Sequence, residues 1–227
     1  MDKKTISPLK GSILTGSILF LVLLCIVLSV VEYISSQRMI YNQYETYMKS
    51  ILNYVAEDID VDDLEECINT GVASPKYYEL QEALDRCKER LPIHFIYIII
   101  PLNTEDYNNV QNVMAGATQY EYEYEAEDLV QLNSLTGDSY SPEAAGKYLS
   151  AYQSGELSFF LEKREWGIDY TGLLPLIDSN GEKVAALCLD IDIADIYATL
   201  RTNVYTVVFL IILIGAVFII AFYFWTE

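Results

Sequence analysis

The stretch YTGLLPLIDSNGEKVAALCLDI, residues 170–191, decides the fold because it joins two apolar runs by a short polar turn. Residues 170–177 and 183–191 are rich in the aliphatic, β-branched and aromatic side chains that favour strands. The turn between them, residues 178–181, ends in Asn-Gly, the dipeptide most typical of a tight hairpin. The sequence therefore predicts an antiparallel hairpin, and Asp192 can cap the helix that follows it.

Helix and strand patterns follow one another upstream of the hairpin. Ser74-Pro75 and Ser141-Pro142 each place a hydroxyl cap before a proline, a common start for a helix. Further strands, rich in β-branched and aromatic residues, are predicted at 93–100, 110–117 and 157–161. This mixture predicts an α+β domain with an antiparallel sheet.

A long helix is predicted at 33–58, where neither glycine nor proline interrupts the chain. Tyr33, Ile40, Tyr47 and Tyr54 repeat along it every seven residues. Such a seam suits either pairing of helices between two subunits or packing along a sheet. We expect a homodimer, with plain core packing as the alternative.

Residues 120–125, YEYEYE, alternate strictly between tyrosine and glutamate. As a strand, this segment would place its tyrosines on one face and its acids on the other. As a loop, it would form a mobile acidic flap. The alternation alone leaves both interpretations open.

Two long blocks without a charged residue, 11–31 and 202–226, flank this domain. About 20 apolar residues in a helix cross the hydrocarbon core of a bilayer, so we predict transmembrane helices at 12–32 and 204–225. A cleaved signal peptide fits the first block less well, because the apolar stretch is too long and no small-x-small site follows it.

Charge predicts the orientation of the chain in the membrane. Three lysines and one acid lie in the first twelve residues, so residues 1–11 should be cytoplasmic, as should the end at 226–227. Residues 33–203 would then form an extracytoplasmic domain. Nearly all of the formal net charge of −19 lies in that domain, which argues against nucleic acid as a partner.

Residues suited to catalysis are scarce. The chain has one histidine, His94, in the middle of an apolar strand, and it has no Cys/His cluster for zinc and no glycine-rich phosphate loop. The acidic stretch 58–66 lacks the glycine and the glutamate of a calcium loop at the required positions. We therefore expect no catalytic residue, metal or cofactor, and no enzyme activity.

Cysteines give a less definite prediction. Cys25 falls in the first apolar block, and Cys67, Cys87 and Cys188 fall outside it. Cys67 and Cys87 lie on consecutive predicted helices, so they could form a disulfide. They could equally be small apolar residues on helix faces.

The segment YTGLLPLIDSNGEKVAALCLDIDIADI resembles the closing hairpin of Cache-type sensor domains, the PAS-like extracytoplasmic modules of bacterial receptors. The preceding segments VDDLEECINTG, SPKYYELQEALDRC and HFIYIIIP occur in a similar order, so the resemblance covers residues 33–200. It implies a PAS-like antiparallel sheet with a long N-terminal helix, and a small molecule bound between the sheet and the helices that cover it.

Candidate ligand-binding residues follow from that arrangement. They are the central-strand, flap and hairpin-entry residues His94, Tyr97, Tyr120, Tyr122, Lys163, Arg164, Trp166 and Tyr170. Lys163 and Arg164 would be natural partners for an anionic ligand. In the alternative interpretation the aromatic residues are core, and both basic residues lie in solvent. Asp190 and Asp192 are interpreted as structural.

We expect a receptor module that senses an extracytoplasmic small molecule of unknown class and signals through the second transmembrane helix. Receptors of the diguanylate cyclase, chemoreceptor or histidine kinase type continue into a cytoplasmic output domain, whereas this sequence ends at Glu227. It would be either the sensory half of a longer receptor or a small protein that signals through a partner. A membrane-anchored adaptor that binds another protein is the main alternative, and a membrane-anchored enzyme is the third.

Overall fold

A computed structural model describes residues 8–102, 105, 109–135, 140–164 and 167–226. The chain divides into two compact units, one comprising Gln43–Asp195 and the other comprising Met1–Asn42 with Ile196–Glu227. The described residues of the second unit are helical, whereas the first unit contains the sheet and the shorter helices.

The helical unit is formed by parts of the two longest helices, α1 (Pro8–Glu57) and α6 (Ile193–Thr226). By length and composition, both helices are apolar enough to cross a membrane. In the most apolar 18-residue stretch of each helix, 0% and 6% of the residues are buried. The core helix of a soluble protein, in contrast, is mostly buried. The spans predicted at 12–32 and 204–225 lie within these helices.

The sheet of the other unit has five strands, and every neighbouring pair is antiparallel. In chain order the strands are β1 (Phe95–Pro101), β2 (Val110–Ala115), β3 (Ser158–Arg164), β4 (Gly167–Ile177) and β5 (Lys183–Asp192). Their order across the sheet is β2-β1-β5-β4-β3. The predicted α+β fold and its antiparallel hairpin are therefore confirmed.

The helices that cover the sheet are α2 (Val61–Thr70), α3 (Pro75–Arg90), α4 (Gln119–Tyr124) and α5 (Pro142–Ser154). Ser74 and Ser141 cap α3 and α5 as predicted, because each hydroxyl accepts a hydrogen bond from a backbone N–H three residues later. Asp192 also caps as predicted, since its Oδ1 lies 2.7 Å from the N–H of Ala194.

One face of the sheet, here called the α1 face, packs against the end of α1. A Cβ atom on Gly172 would lie only 3.1 Å from the side chains of Leu52 and Met48, so glycine allows α1 to approach β4 closely. Because side chains alternate along a strand, cross-strand neighbours of Gly172 share this face. Fully buried aliphatic residues therefore fill the layer between α1 and the sheet.

The opposite face, here called the α5 face, carries a second core cluster. Its buried members from the sheet and from α5 include Tyr97, Ile99, Leu173, Ala186, Cys188, Ala144, Ala145 and Tyr148. The ring of Tyr148 packs edge-on against those of Tyr140 and Phe160. These edge-to-face contacts fix the aromatic side chains between α5 and the sheet.

The alternating segment 120–125 is neither a strand nor a loop. Residues 119–124 form the short helix α4, so both interpretations of the alternation are wrong. The reason is a capping box: Thr118 Oγ1 accepts from the N–H of Glu121, and the Glu121 carboxylate accepts from the N–H of Thr118. Two satisfied helix-end donors favour the helix over the extended chain.

All four cysteines are free thiols. Cys67 lies buried in α2, where its sulfur accepts from the Ser74 N–H at 3.4 Å. Cys188 is buried in the α5 face. The structure therefore favours the interpretation of these residues as small core side chains.

Candidate functional site

A cavity of about 420 Å³ lies where β1 and β2 meet the segment that follows them. Its lining comes from α3, the two strands, α4 and the described residues of the segment that follows α4. It comprises Lys88, Phe95, Tyr97, Asn112, Ala115, Gly116, Ala117, Glu121, Asp128, Leu129, Val130, Ser134, Leu135 and Tyr140. Apolar walls with a few polar groups are typical of small-molecule sites.

Gly116 allows α3 to approach the cavity. A Cβ atom at this position would lie 2.7 Å from the backbone oxygen of Leu84 and 3.0 Å from Ile96. Only a residue without a side chain permits this contact between the end of β2 and α3. The last turn of α3, which carries Lys88, is thereby brought to the cavity wall.

Lys88 is the most buried charged side chain of this lining, with 10% of its side-chain surface exposed. Its Nζ lies 2.6 Å from Glu121 Oε1 and 5.0 Å from the centre of the Phe95 ring. A cation over an aromatic face is attracted by the ring quadrupole. The ammonium group is therefore held between a carboxylate and an aromatic ring.

Glu121 uses its two carboxylate oxygens for different purposes. Oε1 accepts from Lys88, whereas Oε2 accepts from the N–H and the hydroxyl of Thr118 at 2.7 and 3.0 Å. Burial alone would raise the pKa of Glu121, but the hydrogen bonds from Lys88 and Thr118 outweigh burial and lower it below its usual value. Glu121 is therefore an anion at neutral pH.

Further hydrogen bonds fasten α4 and the chain before it to α3. Asp85 accepts from the Ala117 N–H and from the Tyr122 hydroxyl, both at 2.8 Å. Gln81 donates to the Ala115 carbonyl at 2.7 Å. Burial, followed by the bond to Asp85, raises the pKa of Tyr122 to about 12. The wall of the cavity is thus held in place by α3.

Behind the cavity a buried hydrogen-bond network begins at Tyr97. The Tyr97 hydroxyl lies 2.7 Å from that of Tyr148 and 3.3 Å from Asp190 Oδ1. Asp190 Oδ1 also accepts from Thr171 at 2.7 Å, and Tyr148 donates to Glu162. Tyr97 therefore connects the cavity to polar groups that have almost no contact with solvent.

His94 is the residue before β1 rather than the middle of a strand, and its side chain contacts the α5 face of the sheet. Its Nδ1 lies 2.8 Å from Oδ1 of Asp169, a residue that is 1% exposed. The hydrogen bond to Asp169 raises the pKa of His94 above its usual value, although burial acts in the opposite direction. In the strand register Asp169 lies opposite both Glu162 and Asp192. The imidazolium form of His94 therefore offsets negative charge on this face.

The other predicted site residues lie elsewhere. Tyr170 is on the α1 face, where its hydroxyl donates to Glu45. Tyr120 is 61% exposed and packs its ring against Tyr124. Lys163 is exposed on β3, Arg164 ends that strand, and Trp166 lies outside the described residues. Of the eight candidates, Tyr97 lines the cavity. Tyr122 bonds to Asp85, which holds the cavity wall, and His94 bonds to Asp169 on the α5 face.

Lys88, Phe95 and Tyr140 are cavity residues that the sequence did not single out. Lys88 stands in the polar run KER at the end of a helix, where a lysine normally faces water. A usable signal existed for Glu121, because Thr118 followed three residues later by Glu121 is the sequence signature of a capping box. Within the described residues, no group of three or more His, Cys, Asp or Glu side chains could hold a metal ion.

Several solved sensor domains are similar to this chain. The ligand-binding domain of the Campylobacter jejuni chemoreceptor Tlp3 with 4-methylisoleucine has a TM-score of 0.44 and 13% identity, over 86% of this chain and 65% of that one. The Tlp3 sensory domain with isoleucine bound has a TM-score of 0.45 and 15% identity, over 88% and 68%. The Vibrio cholerae LuxQ periplasmic domain has a TM-score of 0.39 and 10% identity, over 79% and 70%.

These three structures are ligand-binding, sensory or periplasmic domains. This chain spans less than two thirds of the first of them. No protein-family model and no curated protein matches the chain. Because all three TM-scores are below 0.5, we base function on the cavity and on the chemistry of its lining.

Proposed function

We propose that this chain is the sensory module of a transmembrane receptor. In this proposal the cavity beside β1 and β2 binds a small molecule outside the membrane. Residues 1–11 and 226–227 face the cytoplasm, and residues 33–203 form the extracytoplasmic sensor domain. An output domain or a partner protein receives the signal in the cytoplasm, and two copies of the chain form the receptor.

The observation that carries this proposal is the cavity itself. It combines apolar walls, a largely buried lysine and the tyrosine hydroxyl that enters a buried polar network. Sites of this kind bind small molecules by apolar contact and fix their orientation with a few polar groups. The domain that contains it lies in sequence between two helices apolar enough to span a membrane.

A ligand can change the receptor only if it binds one arrangement of the domain more tightly than another. Phe95 and Tyr97 in the cavity wall lie on β1, and they are register partners of Asp190 and Cys188 on β5. β5 ends at Asp192, and α6 begins at the next residue. We therefore expect a ligand-dependent shift of β1 to be passed to β5 and then along α6.

The test is a ligand screen on the full chain in lipid nanodiscs. Thermal unfolding is followed in the presence of amino acids, small carboxylates, amines and nucleobases. A ligand at 100 times its dissociation constant should stabilise the native state by about 2.7 kcal/mol. Ala115, which lines the cavity and is partly exposed, offers a matched variant, because Ala115→Phe fills the space.

We expect at least one compound to raise the melting temperature of the wild type and to lose most of that effect in Ala115→Phe. The variant without ligand should melt near the wild-type temperature, which controls for folding. An equal shift in both proteins would place the ligand outside this cavity. If no compound stabilises a folded wild-type sample, the sensor proposal fails in favour of a protein-binding adaptor.

A further inference from the structure

The charges around the cavity differ in how far they are removed from water. Lys88 has 10% of its side chain exposed and Glu121 has 24%, whereas Asp128 is an exposed residue. A lysine is seldom so buried unless an anion neutralises it. Glu121 fills that role through its 2.6 Å ion pair with Lys88.

The hydrogen bonds of Glu121 allow its contact with Lys88 to be exchanged. Oε2 alone serves the capping box with Thr118, and Oε1 alone accepts from Lys88. If another anion took the place of Oε1, α4 would keep its cap. Glu121 would also keep access to water, because it is partly exposed.

Lys88 is held in position independently of Glu121. It belongs to the last turn of α3, and its Nζ lies over the Phe95 ring. Cation–π contact and packing of the aliphatic stem do not require the carboxylate. The ammonium would therefore stay at the cavity wall while its anionic partner changes.

We propose that Lys88 is the anion-recognition residue of this cavity, and that Glu121 is an internal carboxylate that the carboxylate of a ligand replaces. The ligand class is then a small monocarboxylate with an apolar remainder, because Phe95, Leu129 and Leu135 line the same cavity as Lys88. This inference rests on the proposed function and names the ligand class for that site. The sequence instead favoured Lys163 and Arg164 as anion partners.

The experiment uses three compounds of one carbon skeleton: isovalerate, isovaleramide and isoamylamine. A second set, phenylacetate, phenylacetamide and phenethylamine, carries an aromatic remainder. Binding to the full chain in nanodiscs is measured by calorimetry and by thermal unfolding. Only the carboxylate of each set should bind well, since the neutral and cationic members cannot form an ion pair with Lys88.

Two substitutions test the roles of the residues. Lys88→Met keeps the length of the stem and should weaken carboxylate binding about tenfold or more, because a hydrogen-bonded ion pair is lost. Lys147→Met is the matched control, since Lys147 lies on α5 outside the cavity lining, with 40% of its side chain exposed and with Glu143 and the Leu161 carbonyl as partners. It should bind the carboxylates as the wild type does.

Glu121→Gln keeps the cap, because glutamine also serves in a capping box, and it removes the competing charge. It should bind the carboxylates several times more tightly than the wild type. Asp128→Asn removes a negative charge from the same lining without touching Lys88, so it should have a smaller effect. Comparison of these two variants separates replacement of Glu121 by the ligand at Lys88 from a general change in the electrostatic potential of the cavity.

Three results would overturn the inference. One is equal binding of amide, amine and carboxylate that survives Lys88→Met, which would leave the sensor function standing with another ligand class. The second is carboxylate affinity in Glu121→Gln no higher than in Asp128→Asn, a result that stands even if Lys88→Met does not fold. The third is failure of both carboxylates to bind either the wild type or Glu121→Gln. In that case the broad ligand screen would still test the sensor function separately.

Discussion

The two faces of the sheet differ in what they bury. On the α1 face, residues such as Leu52 and Met48 are 0% exposed and meet the sheet where Gly172 leaves no room for a side chain. On the α5 face, Asp169 and Asp190 are just as buried, but each is a carboxylate held through its Oδ1, which contacts His94 in Asp169 and accepts from Thr171 in Asp190. Apolar packing gives stability without direction, whereas buried polar groups hold a defined geometry.

This difference suggests a division of roles within one sheet. The α1 face holds the domain together, and the α5 face holds the cavity and the network that Tyr97 joins to it. Substitutions on the α1 face should therefore change stability without changing ligand selectivity. Substitutions around the cavity should change ligand binding with a smaller loss of stability.

The largest effect is expected for Leu52→Ala on the α1 face. Loss of a fully buried leucine side chain leaves a cavity and should lower the free energy of unfolding by about 2–5 kcal/mol. In thermal unfolding of the full chain this corresponds to a fall of several degrees. Val72→Ala, at a 68% exposed position, is the control and should have little effect. Similar melting temperatures for the two variants would contradict the assigned role of the α1 face.

Gly116→Ala tests the contact that brings α3 to the cavity. The added Cβ would meet the backbone of Leu84, which cannot move aside as a flexible side chain could. Such overpacking should cost about 1–3 kcal/mol of stability and displace Lys88 from its position. Gly155→Ala is less suitable as a control, because Gly155 has a φ of 74° and alanine would be strained there.

Ligand affinity is measured for Gly116→Ala and for Leu52→Ala, and the two values are compared. We expect Gly116→Ala to reduce affinity for the cavity ligand, and Leu52→Ala to leave it unchanged in folded protein. If both variants lose affinity in proportion to their loss of stability, the two faces do not act separately.

Tyr97→Phe tests the network behind the cavity. It removes the hydroxyl shared with Tyr148 and Asp190 and should cost about 1–3 kcal/mol, because buried polar groups lose a partner. Tyr152→Phe is a matched control, since Tyr152 is only partly buried and the change removes a single bond to the Lys183 carbonyl. A Tyr97→Phe protein as stable as Tyr152→Phe would show that the network contributes little.

The smallest effect is expected from the titration of His94. Its pKa is raised above the ordinary 6.5, first by the hydrogen bond to Asp169. The resulting stability is complete below pH 6.5 and is lost as the pH rises through the raised pKa of the folded state. Because 36% of the side chain is exposed, we expect a contribution of at most about 1 kcal/mol.

His94→Gln should remove this pH dependence. Melting temperatures of wild type and variant are compared from about pH 6 to pH 8, where histidine is the side chain that ordinarily titrates. The difference between the two proteins should shrink as the pH rises. A difference that grows with pH would mean that His94 stabilises the domain in its neutral form.

Most of the fold could be predicted from the sequence, because its signals are local. The serine caps at Ser74 and Ser141 and the Asn-Gly turn act through bonds within a few residues. In the segment 120–125 the alternation of tyrosine and glutamate predicts a strand or a loop, whereas the hydrogen bonds between Thr118 and Glu121 favour the helix that forms. A local signal was present there, and the more conspicuous one was misleading.

The sequence by itself determined the apolar helices, the hairpin and the acidic character of the domain, since each depends on side-chain type and spacing along the chain. Only the tertiary structure decided the candidate site. Lys88 and Glu121 are far apart in sequence and meet because Gly116 admits α3 to the end of β2. Strand register likewise placed Tyr97 and Tyr170 on opposite faces, and a register is fixed by packing of the whole sheet rather than by either residue.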